Sequence, residues 1–394
     1  MKILAVAHNT RLSGGANRSF LSVLANLKTT YNADILVLVP RSKGKLVDEL
    51  EKQKIPWMKL SYFGIISSYK EDKKDFLRLL KVHVGYWLET VQAHRLYRKL
   101  RNEKFDVVYT NTRLPYLGAK FAKLTNTKHV VHVREFGGEQ PIWGKWGDKE
   151  LYKYSDKIIL ISEALKKRFQ QNVPTDKLIT VHNGIDTTPV DNRYLAIGND
   201  QEVHMILTGR LVPDKGQSEA IKAMIQLQNE DYRNIHLHIV GSSPKQMYIE
   251  WYFNDLKKLV EENNLEENVH FYGEIEDMKL IRSKMDIELM CAVRETFGRV
   301  TVEGMRSGLA VIGTNTGGTP EIIDDFETGL LYQQGSVQDL VSKIKLLVDD
   351  RKLLQYLGQN GYEYSKTHFT VQKNVSEVFD VLNSVVGEGK NERK

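Results

Sequence analysis

Short apolar runs recur along the chain, separated by stretches in which apolar residues fall three and four apart. In the first half the runs are KILAVA (2–7), ADILVLV (33–39), DVVYTN (106–111), HVVHV (129–133), KIILIS (157–162) and LITVHN (178–183). A near-continuous apolar run of this length has no solvent side, which suits a strand covered on both faces. RSFLSVLANLKTTY (18–31) and EALKKRFQQN (163–172) between them carry the helical spacing. Over 188–201 the periodicity lapses into polar residues, the mark of a linker. A second series follows: VHMILTG (203–209), IHLHIVG (235–241), NVHFYGE (268–274), IELMCA (287–292) and AVIGTN (310–315). Strands alternating with helices predict an α/β protein with parallel sheets. At 394 residues the chain is too long for one core, so two doubly wound domains facing each other across a cleft are expected. Ligands of such sheets bind in the loops after the strands' carboxyl ends.

Composition narrows this little: 41% hydrophobic and 27% charged residues are ordinary for a globular protein. No stretch is apolar enough to span a bilayer, and the N-terminal run reads as a buried strand, not a secretion signal. A single cysteine, Cys291, excludes an intramolecular disulfide and a cysteine-rich zinc site. A cytoplasmic protein fits best. The net charge of +6 suits an anionic partner: nucleic acid, an anionic membrane or a nucleotide phosphate. Segment 73–104 concentrates Lys and Arg with Tyr86, Trp87, Tyr97 and several leucines. It is either a long helix packing one apolar stripe on its own domain or an amphipathic face resting on an anionic bilayer.

RETFGRVTVEG (294–304) places two acids, Glu295 and Glu303, eight residues apart, or about 12 Å of helical rise. That is too far for one shared proton or metal and about right for an elongated ligand held at both ends. The preceding run leaves the sheet into a turn, and a helix starts near Thr296–Gly298 and stops at Gly308. Its unpaired amides make an anion site, and Gly298 lets a ligand approach the backbone. Glu303 suits the vicinal hydroxyls of a ribose and Glu295 a sugar hydroxyl, which together describe a nucleotide-sugar. A solvated pair of surface acids would share this spacing. GRLVPDKGQ after the run at 203–209 adds Arg210 and Lys215, a guanidinium and an ammonium able to clamp a diphosphate. An ordinary charged turn is the plainer reading. Gly14 and Gly15 in NTRLSGGANRS, and Gly317 and Gly318 in NTGGTPEII before a helix opened by Pro320, offer backbone-lined pocket floors.

GRLVPDKG, ETFGRVTVEGMRSGLAVIGTNTGGTPEII, NTRLSGGANRS and VHNGID (181–186) together resemble the family 4 retaining glycosyltransferases (group 1), which have the GT-B fold. The likeness covers roughly residues 2–365 and is loosest in the first half. It implies that Glu295 contacts the donor sugar, that Thr296, Phe297 and Gly298 hold the distal phosphate through backbone, and that Glu303 binds the ribose. Arg210 and Lys215 would neutralise the departing nucleoside diphosphate, and Gly273 and Glu274 would touch the base, with Gly14, Gly15 and Gly241 also on the donor side. Many members carry a His-acid pair after the fourth run of the first domain. Here HVVHVREFG puts Arg134 and Glu135 at that pair and His132 two residues earlier, so His132 or Arg134 would face the donor. Glu135 and Asn183 fall to the acceptor. VQKNVSEVFDVLNSVV (371–386) would be the terminal helix that returns to the first domain. The expected domains are therefore 1–187 with 368–388 for the acceptor, and 202–367 for the nucleotide-sugar.

The resemblance implies a hexosyltransferase that retains anomeric configuration and uses no metal or cofactor; a D-x-D motif is absent from the chain. The expected partners are a UDP-sugar, a glycan or lipid-linked acceptor of a cell-surface polysaccharide or glycolipid, and an anionic membrane surface, with no nucleic acid and a peripheral place on the inner membrane face. A sugar-nucleotide epimerase or hydrolase of the same fold would need titratable groups beside the sugar, where Arg134 stands. A non-catalytic glycan- or partner-binding protein would be expected to have lost Arg210, Lys215 or Glu295. G-x-G-x-x-G does not follow the first strand, which argues against a nicotinamide dehydrogenase.

Overall fold

The parallel strands form two separate sheets. The computed structural model describes residues 1–12, 15–62, 75–113, 116–136, 143–186, 202–243 and 250–391. The chain divides into two compact units, Met1–Gly184 with Val371–Lys394, and Ile185–Thr370. The linker expected at 188–201 lies outside the described residues.

Unit 1 is built on a seven-stranded sheet of β1 (Lys2–Val6), β2 (Asp34–Val39), β3 (Trp57–Lys59), β4 (Val107–Asn111), β5 (Lys128–Val133), β6 (Lys157–Leu160) and β7 (Leu178–Thr180). Its order is β3-β2-β1-β4-β5-β6-β7 and the pairings are parallel. The order reverses between β1 and β4, the switch point at which such sheets open a crevice. Among the described residues six helices lie between the strands in sequence: α1 (Gly15–Tyr31), α2 (Lys45–Lys52), α3 (Asp75–Leu100), α4 (Leu117–Thr125), α5 (Trp143–Tyr154) and α6 (Glu163–Gln170). Alternate residues of β1 face opposite sides. Ile3 and Ala5 pack with Phe20, Leu24 and Leu27 of α1, while Leu4 and Val6 pack with Leu96 of α3 and Phe121 of α4.

The chain's last long helix, α13 (Val371–Asn391), belongs to this unit. Val371, Val375, Val378, Leu382 and Val385 recur at intervals of three and four and join the β1–α1 core. Phe379 stacks on Tyr31 with ring centroids 3.9 Å apart, and the Asn374 amide donates to the His182 carbonyl at 2.6 Å. The basic segment folds as α3 with a buried stripe, Glu89, Ala93, Leu96 and Leu100, while Val84, Trp87, Leu88 and Tyr97 stay exposed.

Unit 2 carries a six-stranded parallel sheet of β8 (Val203–Thr208), β9 (Ile235–Val240), β10 (Val269–Phe271), β11 (Ile287–Met290), β12 (Ala310–Thr314) and β13 (Leu330–Tyr332), ordered β10-β9-β8-β11-β12-β13. Its helices are α7 (Gln217–Asn229), α8 (Glu250–Glu261), α9 (Met278–Arg282), α10 (Arg299–Arg306), α11 (Val337–Asp349) and α12 (Arg351–His368). Met205, Leu207, Leu237, Ile239 and Leu289 meet Ile221, Met224, Leu256 and Ile344 in its main core.

Three features depart from the sequence pattern. β3 and β13 are three-residue edge strands with too few positions to show a period. α1 begins at Gly15, not Arg18. The helix expected from Pro320 is one tight turn, Thr319–Glu321. Ile322 and Ile323 are both buried, and adjacent residues cannot share one helix face, so the chain leaves the turn toward the bridge between Asp325 and Gly329.

His129 in β5 shows how the interior is satisfied. Its Nε2 meets the Thr110 hydroxyl at 2.9 Å and its Nδ1 the Ser155 hydroxyl at 3.0 Å. Burial lowers its pKa to about 4, against weaker opposing effects of the Tyr154 carbonyl and Asp156. The unfolded chain takes a proton near pH 6.5 that the folded chain refuses until about pH 4, so stability falls as pH drops through that window. Urea denaturation midpoints should decline from pH 7 to 4.5, and His129→Gln should show a lower midpoint at pH 7 with a shallower decline.

Candidate active site

The loops at the carboxyl ends of the unit 2 strands touch one another through backbone. The loop after β8 turns at Pro213–Lys215 and enters α7 through Gly216, whose φ of +75° places it against the Cys291 carbonyl. The Val293 amide donates to the Asp214 carbonyl at 3.0 Å, and the Gly318 amide to the Glu295 carbonyl at 2.8 Å. Gly241 lies on the Gly209 carbonyl and donates its amide to the Gly273 carbonyl at 2.8 Å. Gly317 and Gly318 are therefore packing positions. A Cβ on Gly317 would fall 2.2 Å from the Glu295 carbonyl oxygen, and one on Gly318 would fall 2.7 Å from that of Thr296. They hold the Glu295–Phe297 backbone in place, a closer role than the open pocket floor expected from their spacing.

These contacts bring Lys215 and Glu295 together, with Nζ 2.5 Å from Oε2. α10 begins where predicted, with Gly298 at its N-cap at φ +100°. The Val302 amide returns to the Gly298 carbonyl at 3.3 Å, so the amides ahead of it in the first turn lie beyond the helix's own hydrogen-bond ladder. Phe297 is 2% exposed and packs edge-on against Phe369, so its side chain anchors the loop. Arg210 is exposed, and its carbonyl accepts from the buried Gln217 amide at 2.9 Å. Gly273 is exposed with open space over its Cα, and Glu274 accepts from the Ser242 hydroxyl at 2.6 Å.

Glu303 is not a solvated surface acid. Arg282 Nη1 reaches its Oε2 at 3.2 Å and Arg299 Nη2 its Oε1 at 3.4 Å. Arg282 in turn donates Nε to Glu288 Oε2 at 2.8 Å. Arg282 and Glu288 went unused in the sequence reasoning, although a glutamate inside the run IELMCA was the available signal. A charge in a buried strand needs a partner.

In unit 1 the four residues singled out near the switch point form one network. Arg134 donates Nε to Asn111 Oδ1 at 2.8 Å and Nη1 to Asn183 Oδ1 at 2.5 Å, and its Nη2 lies 3.2 Å from His132 Nδ1. Tyr109 OH lies 2.7 Å from the same nitrogen. His132 has no exposed surface, and burial, then the Arg134 charge, pushes its pKa well below the ordinary value. Glu135 turns back to accept from the Arg113 and Arg134 amides at 3.2 and 3.3 Å. Asn17, donating to the Asn9 side chain at 2.9 Å and accepting from Asn111 at 3.0 Å, extends the network to the glycine loop. Gly15 opens α1, while Gly14 lies outside the described residues. Asn17 and Asn111 were missed because a lone asparagine at a strand or helix end has no distinctive spacing.

Two family models match consecutive parts of the chain, Glycosyltransferase Family 4 over residues 13–189 and Glycosyl transferases group 1 over residues 196–364. The chain belongs to the group 1, family 4 glycosyltransferases. This glycosyltransferase is 24% identical to the N-acetyl-alpha-D-glucosaminyl L-malate synthase of Bacillus anthracis over 319 residues, 76% of this chain and 80% of that one. It is 28% identical to the Staphylococcus aureus capsular polysaccharide biosynthesis glycosyltransferase CapM over 59% of its own length and 62% of CapM. Anabaena HepE, solved in complex with UDP, superposes with a TM-score of 0.79 at 20% identity, covering 98% of this chain and all of that one. The fold is GT-B.

The glycine contacts give a direct test. Gly317→Ala places a methyl group against backbone that cannot yield, at φ +62°, and should destabilise this glycosyltransferase by about 1–3 kcal/mol. The denaturation midpoint measures it, and Gly335→Ala, with open space around its Cα, should cost less.

Proposed function

We propose that this glycosyltransferase moves a hexosyl unit from a UDP-sugar to a polysaccharide or glycolipid acceptor, retains the anomeric configuration, and does so without a metal. The observation that carries the reading is the Lys215–Glu295 pair beside the first turn of α10, with Glu303 just over one turn into the same helix. A diphosphate seated on the α10 amides would lie beside the Lys215 ammonium, with Arg210 in the same loop. These groups meet the charge that grows on the leaving group. Glu295, already paired with Lys215, would orient a hydroxyl of the transferred sugar, and Glu303 would accept from the ribose diol. Departure of the diphosphate and attack by the acceptor hydroxyl on one face account for retention. Relatives support the substrate class: HepE was solved with UDP-glucose, and CapM acts in capsular polysaccharide biosynthesis by its name.

The roles separate by measurement. Lys215→Ala should lower kcat at least tenfold with a smaller change in UDP affinity, because the charge acts on the developing diphosphate. Equal losses in both would reduce Lys215 to a ground-state contact. A thermal-shift screen over UDP-, GDP-, ADP- and TDP-sugars should show the largest stabilisation with a UDP-sugar.

A peripheral place on the inner membrane face is the second part of the proposal. It is favoured by Val84, with Trp87 and Leu88 one helical turn later, exposed along α3 and followed by exposed Arg95, Arg98 and Lys99. An apolar edge next to a basic one suits an anionic bilayer, and no described helix is long and apolar enough to cross a membrane. Trp87→Ala should weaken binding to phosphatidylglycerol vesicles severalfold, and wild-type binding should fall steeply with salt. Salt-independent sedimentation would overturn this placement.

A further inference from the structure

Arg282 sits at the end of α9, 3% exposed, between two carboxylates that differ in their access to solvent. Glu288, in the middle of β11, has no exposed surface, while the Glu303 side chain on α10 remains 17% exposed. α10 is seated directly on that strand, since a Cβ on Gly304 would fall 2.7 Å from the Glu288 Cβ. The guanidinium plane therefore spans from the sheet to the helix, giving Nε to Glu288 and Nη1 to Glu303.

Stability alone does not account for this arrangement. Apolar side chains of similar volume would fill the space between α9, β11 and α10 without removing charges from water, and such replacements are often neutral or stabilising. Ile287, Leu289 and Met290 show that β11 otherwise accepts only apolar residues. The buried pair does one thing that an apolar pair could not: it presents a rigid donor to Glu303. A glutamate free on a helix surface must give up rotamer freedom when a ligand arrives, whereas one already held has less to lose. A carboxylate has about four acceptor sites. Arg282 and Arg299 each engage one oxygen from the protein side, leaving acceptor capacity for two further donors.

We propose that Arg282, backed by the buried Glu288, is the positioning residue that holds Glu303 for the two ribose hydroxyls and so makes this chain selective for ribonucleotides over deoxyribonucleotides. The inference rests on the assignment of the ribose to Glu303.

The experiment is calorimetric titration of the full chain with UDP, 2′-deoxy-UDP and 3′-deoxy-UDP. The unaltered protein should prefer UDP over either analogue by roughly tenfold, the worth of a hydrogen bond to a charged acceptor. Replacing the buried pair together, Arg282→Leu with Glu288→Leu, avoids stranding a charge and should bring the preference to within about threefold. Arg282→Lys keeps the charge but loses the fork that reaches both acids; it should give an intermediate preference, and it carries the test if the double variant does not fold. A merely structural role would lower affinity for all three ligands alike and leave their ratio unchanged. Full preference in both variants, or in Arg282→Lys alone where only that variant folds, overturns the role of Arg282 while leaving the ribose assignment standing. Equal or absent binding of UDP and its analogues by the unaltered protein overturns the ribose assignment, and the inference with it.

Discussion

Backbone touching backbone at glycine is the constraint on which the unit 2 loops depend. Gly216 on Cys291, Gly241 on Gly209, and Gly317 and Gly318 on Glu295–Phe297 bring loops from neighbouring strands to distances that a single methyl group would forbid. Side chains then meet without reaching. Lys215 and Glu295 are 80 residues apart in sequence and 2.5 Å apart in space, because the turns carrying them are joined by the hydrogen bond from the Val293 amide to the Asp214 carbonyl. A site held this way has its geometry written into the main chain, where rotamer changes cannot loosen it.

Charge is handled in both units by the same device, a guanidinium whose separate nitrogens are divided among several acceptors. Arg134 ties the ends of β4 and β5 to the segment after β7, and Arg282 ties α9 to β11 and α10. The fully buried Asp148 in α5 shows the converse, one acid shared by Arg113 and Arg168 at 3.2 and 2.6 Å. Each cluster lies near a strand's carboxyl end or a helix terminus. The planar fork suits such places, since it fixes direction as well as charge.

Much of the architecture was legible because strands buried on both faces announce themselves as apolar runs. The eleven runs read from the sequence all became strands, and the two strands overlooked are three-residue edges with no room for a period. The loops that bring Lys215 and Glu295 together were legible too, since glycine, glutamate and lysine at fixed offsets after a strand leave few alternatives. What escaped was whatever depends on contacts distant in sequence. TGGTP looked like a helix start and an open floor; it is one tight turn whose glycines are filled by a neighbouring loop. Glu303 looked free, and its arginine comes from 21 residues earlier. Arg134 and His132 could be placed on one strand, but their partners Asn111, Asn183 and Tyr109 come from other strands and loops.

The location of α13 has a consequence for biogenesis. Its valines and Leu382 complete the core that β1 and α1 begin, yet they are synthesised only after all of unit 2. While the ribosome translates residues 185–370, the nascent amino-terminal sheet carries an uncovered greasy flank around Phe20 and Leu24. Unit 2 has no such debt to later sequence and can close its own core first. Maturation of the amino-terminal half therefore waits on translation of the far end of the message, and a transcript cut short after unit 2 would yield a product prone to clumping.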